Sequence, residues 1–271
     1  MLGGVPGVPG ALRALGLLAV VLALVTPARI EAQRPAAAQT LRVAAAADLK
    51  FALDEIGDEL ARRHPALRVR ATYGSSGSMQ AQLRQRAPYD VYLSADIEYP
   101  RDLVSKGVGS TADLFAYATG RLVVWVPKDS PLPIEREGLR ALAAAKRIAI
   151  ANPRHAPYGR AAEAAMRRAG VWEAASRRLV LGENVAQAAQ FVQSGAADAA
   201  VIAKSLALAP ALGPLGRFRD VPADLYPPLV QGGLILPWAG SRAAAVALRD
   251  FLLSREGRAI LGRYGFGAPP V

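Results

Sequence analysis

A short run of glycine and hydroxyl residues, Gly74-Ser75-Ser76-Gly77-Ser78, separates a strand-like segment from a helix-like one. Such residue types suit a catalytic serine, a phosphate cradle, a flexible link, a plain cap and turn, or a nest of donors for an anion. A nucleophile elbow needs Gly-x-Ser-x-Gly, and residues 74–77 are one residue too short for it. A P-loop needs a lysine after its second conserved glycine, and none follows here.

The same kind of junction recurs where other strands run into helices, at Ala47-Asp48, Pro157-Tyr158-Gly159 and Asn184-Val185. A helix start has free backbone N–H groups and the positive end of the helix dipole. In parallel α/β sheets, such junctions face one ligand crevice. Together they predict a pocket that holds an oxyanion without a charged side chain, to which serine hydroxyls would add donors: Ser75, Ser76 and Ser78.

The elements that carry these junctions alternate from residue 41 onward. Strand-like runs occupy residues 41–47, 67–73, 91–94, 122–126, 148–150, 179–181, 199–203 and 234–236. Helix-like periodicity occupies residues 49–63, 79–86, 159–169, 185–194 and 241–264. Repeated βα units with short connections predict an α/β architecture with mostly parallel strands.

Composition restricts the classes of function. The 271 residues are 52% hydrophobic, which is enough for one large domain or two modest ones. There is no cysteine, so neither disulfides nor thiolate metal sites are available, and the two histidines lack metal-ligand spacing. The net charge of +11 comes from scattered residues without a dense basic block, so a nucleic-acid partner is not expected.

The N-terminus has the pattern of an export signal. Arg13 precedes an apolar run over residues 15–25, Pro27 ends that run, and Ala32 offers a small residue for cleavage. We therefore expect a signal peptide over residues 1–32, a flexible leader over residues 33–40, and a soluble periplasmic protein. No cysteine follows the signal, so no lipid anchor is expected.

Six longer motifs occur in a fixed order and cover nearly all of residues 41–267: VAAAADLKFALDEI, YGSSGSMQAQLRQRAPYDVYLSAD, LVVWVPK, IAIANPRHAPYGRAAEAAM, GENVAQAAQFVQSGAADAAVI and GRYGF. With this ordered set, the chain resembles the molybdate-binding proteins of bacterial ABC importers, the ModA family. The resemblance implies a type II periplasmic binding fold, in which two α/β lobes are joined by two crossover strands. Lobe one would comprise residues 41–120 and 232–271, lobe two residues 121–231, with crossovers near 122–126 and 231–236.

The resemblance also implies a function. Such a protein binds molybdate or tungstate between its lobes and delivers it to a membrane permease driven by a separate ATPase. It needs no cofactor, catalyses nothing and is expected to be a monomer.

Carried over position by position, the family's anion-binding residues fall on Asp48, Ser76, Tyr158 and Val185, with Ser75 and Ser78 as further candidates. The family often adds a tyrosine hydroxyl, and that place is taken here by Ala203, with the neighbouring Lys204 as a compensating cation. No residue would coordinate the metal atom directly, since molybdenum would be held as its oxyanion by Ser76 and Val185.

Asp48 departs from the family pattern, because a carboxylate would repel a dianion where a donor is wanted. Three alternatives follow: Asp48 turns away and caps its own helix, it is protonated, or the ligand differs. We expect the first, because aspartate is a good N-cap.

Other functions stay open at this point. The ligand could be sulfate, thiosulfate or a phosphonate, or the protein could be a periplasmic sensor partner with the same fold. An exported serine hydrolase would use Ser75 or Ser76 with His155.

Overall fold

The computed structural model describes residues 39–270, which form two five-stranded sheets flanked by helices. The strands in this range are β1 (Gln39–Ala46), β2 (Leu67–Gly74), β3 (Val91–Ser94), β4 (Leu114–Gly120), β5 (Leu122–Pro127), β6 (Ile148–Ala151), β7 (Leu179–Gly182), β8 (Ala199–Ala203), β9 (Gly216–Asp220) and β10 (Leu229–Ile235). The α-helices are α1 (Lys50–Arg63), α2 (Ser76–Arg84), α3 (Glu98–Ser105), α4 (Ile134–Glu137), α5 (Pro157–Arg168), α6 (Trp172–Ala175), α7 (Val185–Gln193), α8 (Lys204–Ala207), α9 (Arg242–Leu253) and α10 (Arg255–Arg263).

The first sheet has the strand order β2-β1-β3-β10-β4. Here β1 runs parallel to β2 and β3, and β10 runs antiparallel to β3 and β4. Strand β1 is buried from Val43 to Ala46, as expected for a central strand covered on both faces. Its carboxyl end continues directly into a 3-10 turn, Ala47–Leu49, which fixes the position of Asp48.

The second sheet has the strand order β7-β6-β8-β5-β9. It repeats the plan of the first: β6 is parallel to β7 and β8, and β5 is antiparallel to β8 and β9. Both sheets are therefore mixed, where the βα alternation predicts mostly parallel strands. The difference arises because β5 and β10, the strands next to the two crossings between sheets, enter against the direction of their neighbours.

The chain crosses between the sheets twice. Strand β4 lies in the first sheet and β5 in the second, with only Arg121 between them, and the return passes through residues 221–228. Each expected crossover segment lies within a single sheet, and β10 starts at Leu229, three residues before the expected boundary at 232. We call the half built on the first sheet lobe one and the half built on the second sheet lobe two.

The expected signal peptide and residues 33–38 of the expected leader lie outside the described residues. The last two leader residues, Gln39 and Thr40, are not a leader in the structure, because they pair with Leu67 and Arg68 as the start of β1. Among the described helices, none combines the length and apolarity needed to span a membrane.

Candidate anion-binding site

A small cavity lies where four strand-to-helix junctions meet between the lobes. The space among its lining atoms is about 190 Å³, which includes space open to solvent. It is lined by Ala46, Ala47, Asp48, Gly74, Ser75, Ser76, Ala95, Ala156, Pro157, Tyr158, Asn184 and Val185. The lining contains no lysine or arginine, and Asp48 is its one formally ionisable carboxyl group. The four principal candidates from the sequence, Asp48, Ser76, Tyr158 and Val185, are thus brought together.

Three of these residues place backbone N–H groups at helix starts. Ser76 and Val185 are the first residues of α2 and α7, and Tyr158 is the second residue of α5, after Pro157. Amides in a first helical turn have no intrahelical acceptor. In α7, the Asn184 side chain accepts from the next two amides, Ala186 at 3.0 Å and Gln187 at 3.1 Å, so this cap does not engage the Val185 amide.

The Ser76 hydroxyl is held in one orientation by the backbone around it. The residue is fully buried, and its Oγ accepts a hydrogen bond from the Ala95 amide at 3.0 Å. Its carbonyl oxygen accepts from the Tyr92 hydroxyl at 2.7 Å. Because Oγ acts as an acceptor towards Ala95, its own hydrogen stays available to donate into the cavity.

The expectation that Asp48 caps its own helix is wrong. The N-cap positions of the 3-10 turn and of α1 are Ala46 and Leu49, and neither helix start has a side-chain cap. The Asp48 side chain is 1% exposed, and its Oδ2 accepts from Nε2 of Gln231. Its Oδ1 is buried, and no group among residues 39–270 forms a hydrogen bond with it. The fold buries the side-chain amide of Gln231, in β10, beside the carboxyl group of Asp48. This amide therefore donates to the carboxyl group, which does not cap the helix.

A buried polar network continues from Asp48 into both lobes. Gln231 is fully buried; its Oε1 accepts from the Tyr117 hydroxyl at 2.8 Å, and its Nε2 lies 3.3 Å from the Tyr158 hydroxyl. Burial raises the pKa of Asp48 to about 6, against the smaller lowering effects of Gln231, of Tyr158 and of the backbone amides of Asp48 and Leu49. Burial, and then the charge of Asp48, raise the pKa of Tyr117 and of Tyr158 well above the usual value. Both phenols therefore stay neutral donors at physiological pH.

Sequence reasoning missed Gln231 as a site residue. The available signal was a single amide side chain inside the apolar run of β10, where a buried polar group needs partners. Gly120 was missed as well. A methyl group there would collide with the Tyr158 hydroxyl and approach Nε2 of Gln231 to 2.9 Å, so glycine leaves room for the network.

The further candidates occupy different places. Ser75 lines the cavity and caps α2, with its Oγ 3.3 Å from the Ser78 amide. Ser78 lies outside the cavity lining and donates to Glu183 of lobe two at 2.8 Å. Ala203 is buried, and Lys204 forms an ion pair with Asp220 at 2.8 Å; neither lines the cavity.

The structure does bring Ser75 and His155 together, with Oγ and Nδ1 separated by 2.8 Å. The His155 Nε2 lies 3.5 Å from a Glu183 carboxylate oxygen. However, the Ser75 hydroxyl donates its single hydrogen to Ser78 Oγ at 2.8 Å, and Ser75 is only 3% exposed. These contacts use the hydroxyl as a helix cap and as a link between the lobes.

Direct contacts hold the two lobes against each other around the cavity. The Gly77 amide donates to the His155 carbonyl at 2.9 Å, and Ser205 Oγ donates to the Asp48 carbonyl at 2.7 Å. Arg160 forms an ion pair with Asp96 at 2.7 Å. These contacts join the two lobes beside the cavity.

Two mixed α/β lobes, two crossings and a cavity between them define the type II periplasmic binding class, so the expected fold class is confirmed. The sequence model of the family described as bacterial extracellular solute-binding protein matches residues 41–267. The molybdate-binding protein ModA of Rhodobacter capsulatus is 34% identical over 86% of this chain and 90% of that protein. ModA of Azotobacter vinelandii is 33% identical over 86% of this chain and 91% of that protein.

A solved structure, the periplasmic molybdate-binding protein of Azotobacter vinelandii, superimposes with a TM-score of 0.79 at 31% identity. The match covers 85% of this chain and 100% of that one. The chain belongs to the bacterial extracellular solute-binding family and, within it, to the ModA group. The resemblance seen in the ordered motifs is confirmed.

Proposed function

We propose that this protein captures molybdate or tungstate in the cavity between its lobes. The observation that carries the proposal is the convergence of Ser76, Tyr158 and Val185, each in the first turn of a helix, on a cavity lined by neither lysine nor arginine. Helix N-termini bind anions through free amides and the helix dipole. A tetrahedral dianion that is deprotonated at neutral pH suits a pocket made of donors.

The same proposal covers the finer features of the function. The protein delivers its ligand to the permease of an ABC importer, which a separate ATPase drives, and it acts as a monomeric periplasmic carrier without catalysis. Membership of the solute-binding family supports this role, as do relatives named for molybdate binding.

A ligand-dependent melt tests the choice of ligand. At a free concentration of 100 times Kd, a ligand stabilises the folded protein by about 2.7 kcal/mol. For a domain of this size the melting temperature then rises by roughly 5–10 °C. We expect this rise with molybdate and tungstate. The proposal would be contradicted if sulfate, thiosulfate or a phosphonate raised the melting temperature while molybdate and tungstate did not.

The Ser76 hydroxyl is the side-chain donor to be tested by substitution. Ser76→Ala is expected to weaken molybdate binding about tenfold to hundredfold, because a hydrogen bond to a charged group contributes about 1.5–3 kcal/mol. The matched control is Ser105→Ala in α3, whose hydroxyl is exposed and donates to the Asp102 carbonyl at 2.9 Å. Calorimetric titration of both variants, with ligand-free melts as a check on folding, makes the comparison. Equal affinities in the two variants would exclude the assigned role of Ser76.

The alternative of a serine hydrolase can be tested directly, because Ser75 and His155 are in contact. A fluorophosphonate label reacts with an activated serine, and we expect no labelling of Ser75 or Ser76. Stoichiometric labelling that His155→Gln abolishes would show that the protein is an enzyme.

A further inference from the structure

Asp48 is the one group in the cavity lining whose usual ionised form opposes the proposed ligand. Around it stand amides and hydroxyls that donate, whereas a carboxylate can only accept. Its Oδ2 accepts from Gln231, its Oδ1 is buried without a hydrogen-bond partner among residues 39–270, and the residue lines the cavity. A buried oxygen without a hydrogen bond is costly in either protonation state unless a partner arrives with the ligand.

We propose that Asp48 binds the oxyanion as a neutral carboxylic acid, so that capture of each molybdate or tungstate ion takes up one proton. The inference rests on the proposed function and adds a proton to it. The proton comes from solvent, attaches to the carboxylate of Asp48, and is then donated in a hydrogen bond from the carboxyl oxygen to an oxygen of the ligand. No bond within the ligand forms or breaks.

The burial of Asp48 favours this protonation state, and it outweighs the hydrogen bonds to the carboxyl group, which favour the ionised form. Burial raises the pKa of Asp48 to about 6. A dianion beside the carboxyl group disfavours its charged form further, so the pKa rises again when the ligand binds. At neutral pH, therefore, the free protein has lost the proton that the complex holds.

The other titratable and charged groups around Asp48 do not supply this proton. Tyr158 from α5 and Tyr117 from β4 stay neutral, because burial keeps their pKa values well above the usual range. The cations on the adjoining helices have their own partners: Lys50 of α1 pairs with Asp54 at 3.3 Å, and Lys204 of α8 pairs with Asp220 at 2.8 Å. Helix α7 contains no titratable side chain, and β10 contributes the neutral Gln231.

His155 is the competing source of a pH effect. It contacts the cavity-lining Ser75 and faces Glu183. Imidazoles as a class change charge between pH 5 and 8, and a cation near the cavity would also favour an anion at low pH. The experiment must therefore separate Asp48 from His155.

The test is calorimetric titration of the full chain with sodium molybdate, and in parallel with sodium tungstate, from about pH 6.5 to about pH 8.5. The wild-type affinity is expected to fall about tenfold per pH unit, the slope for uptake of one proton. Repeating the titration at one pH, in buffers with different enthalpies of ionisation, should give an uptake close to one proton per ligand. A flat profile without proton uptake would overturn the proposal.

Two variants assign the slope to a residue. Asp48→Asn keeps an oxygen for Gln231 and supplies a permanent N–H donor in place of the acid. It should bind with little pH dependence and more tightly than the wild type at the alkaline end. His155→Gln should keep the wild-type slope. The reverse pattern, a slope lost in His155→Gln and kept in Asp48→Asn, would assign the proton to His155 and overturn the inference.

The same data separate this inference from the proposed function. If the wild type and Asp48→Asn both fail to bind molybdate and tungstate across the range, the ligand assignment fails and the inference fails with it. If both bind but the wild type takes up no proton, the function stands and only the inference falls.

Discussion

Asp48 shows how a fold can impose an uncommon state on a common side chain. In an exposed loop its carboxyl group would be ionised at neutral pH. Here it is 1% exposed, and its one side-chain hydrogen bond in the described structure is from a neutral amide, that of Gln231. The free protein therefore holds a carboxylate at neutral pH that its surroundings do not fully compensate. Such a group lowers the stability of the free protein, and groups of this kind cluster at functional sites.

The first prediction concerns stability without ligand. The pKa of Asp48 is raised from 3.8 to about 6, so the stability it contributes is complete below about pH 4 and is lost as the pH rises through 6. The loss amounts to about 3 kcal/mol, since each pKa unit is 1.36 kcal/mol. Asp48→Asn removes the titration, so its stability advantage over the wild type should be larger at pH 7.5 than at pH 4.5. Urea unfolding of both proteins at the two pH values measures this difference in free energy of unfolding. An equal difference at both pH values would contradict a raised pKa for Asp48.

At the scale of elements, the site depends on how helices begin. Helix α7 starts at Val185, and its cap, Asn184, uses its side chain on the next two amides. The cap therefore stabilises the helix end while leaving the first amide free. Helix α2 follows the same plan, with Ser75 as the cap and Ser76 as the first residue. Capping and the proposed ligand binding would thus use different amides of the same helix turn.

The second prediction concerns the loss of the Asn184 side-chain cap of α7. Asn184→Ala should lower stability by about 1 kcal/mol, the usual loss for a missing N-cap. It should also weaken molybdate binding about fivefold, because the Val185 amide sits on a frayed turn. The control is Ser241→Ala, which removes the cap of α9, where Ser241 Oγ accepts from the Ala244 amide at 3.2 Å outside the cavity lining. Equal losses of affinity in the two variants would show that the effect is global.

At the scale of the whole molecule, the cavity exists only while the lobes are in contact. One contact joins α2 of lobe one to the loop before α5 of lobe two, through the Gly77 amide and the His155 carbonyl. A methyl group at Gly77 would lie 2.7 Å from that carbonyl oxygen and 2.9 Å from the His155 Cβ. Glycine is therefore required there by the approach of the other lobe.

The third prediction concerns the contact between the two lobes at Gly77. Gly77→Ala should weaken ligand binding about tenfold or more, because overpacking of 1–3 kcal/mol is incurred when the lobes meet. The fold of each lobe should be unaffected. Gly262→Ala in α10 is the matched control: an added methyl there meets nothing within 4 Å, so affinity should not change and the helix should gain about 0.5–1 kcal/mol. Thermal melts and ligand titrations of both variants measure stability and affinity. A wild-type affinity in Gly77→Ala would show that ligand binding does not need the close approach of the lobes at this position.

Local sequence signals anticipated much of the fold. Strands such as β1, β5 and β8 are short apolar runs, and α1 and α7 keep helical spacing, so periodicity was sufficient to find them. Strands β4 (Leu114–Gly120) and β9 (Gly216–Asp220) were not predicted from the sequence. In the structure β4 pairs with β10 and β9 pairs with β5, and this pairing supports their strand form. Helix α3 was also missed.

By itself, the sequence determined the α/β class, the strand-to-helix junctions and the family, because these depend on residue type, local spacing and ordered motifs. Tertiary structure alone decided that Asp48 meets Gln231 instead of capping its helix, since those residues lie 183 positions apart. It likewise decided that Gly77 faces His155 across the lobes. The partner of a side chain depends on distance and burial in the folded molecule, and neither quantity can be read from the local sequence.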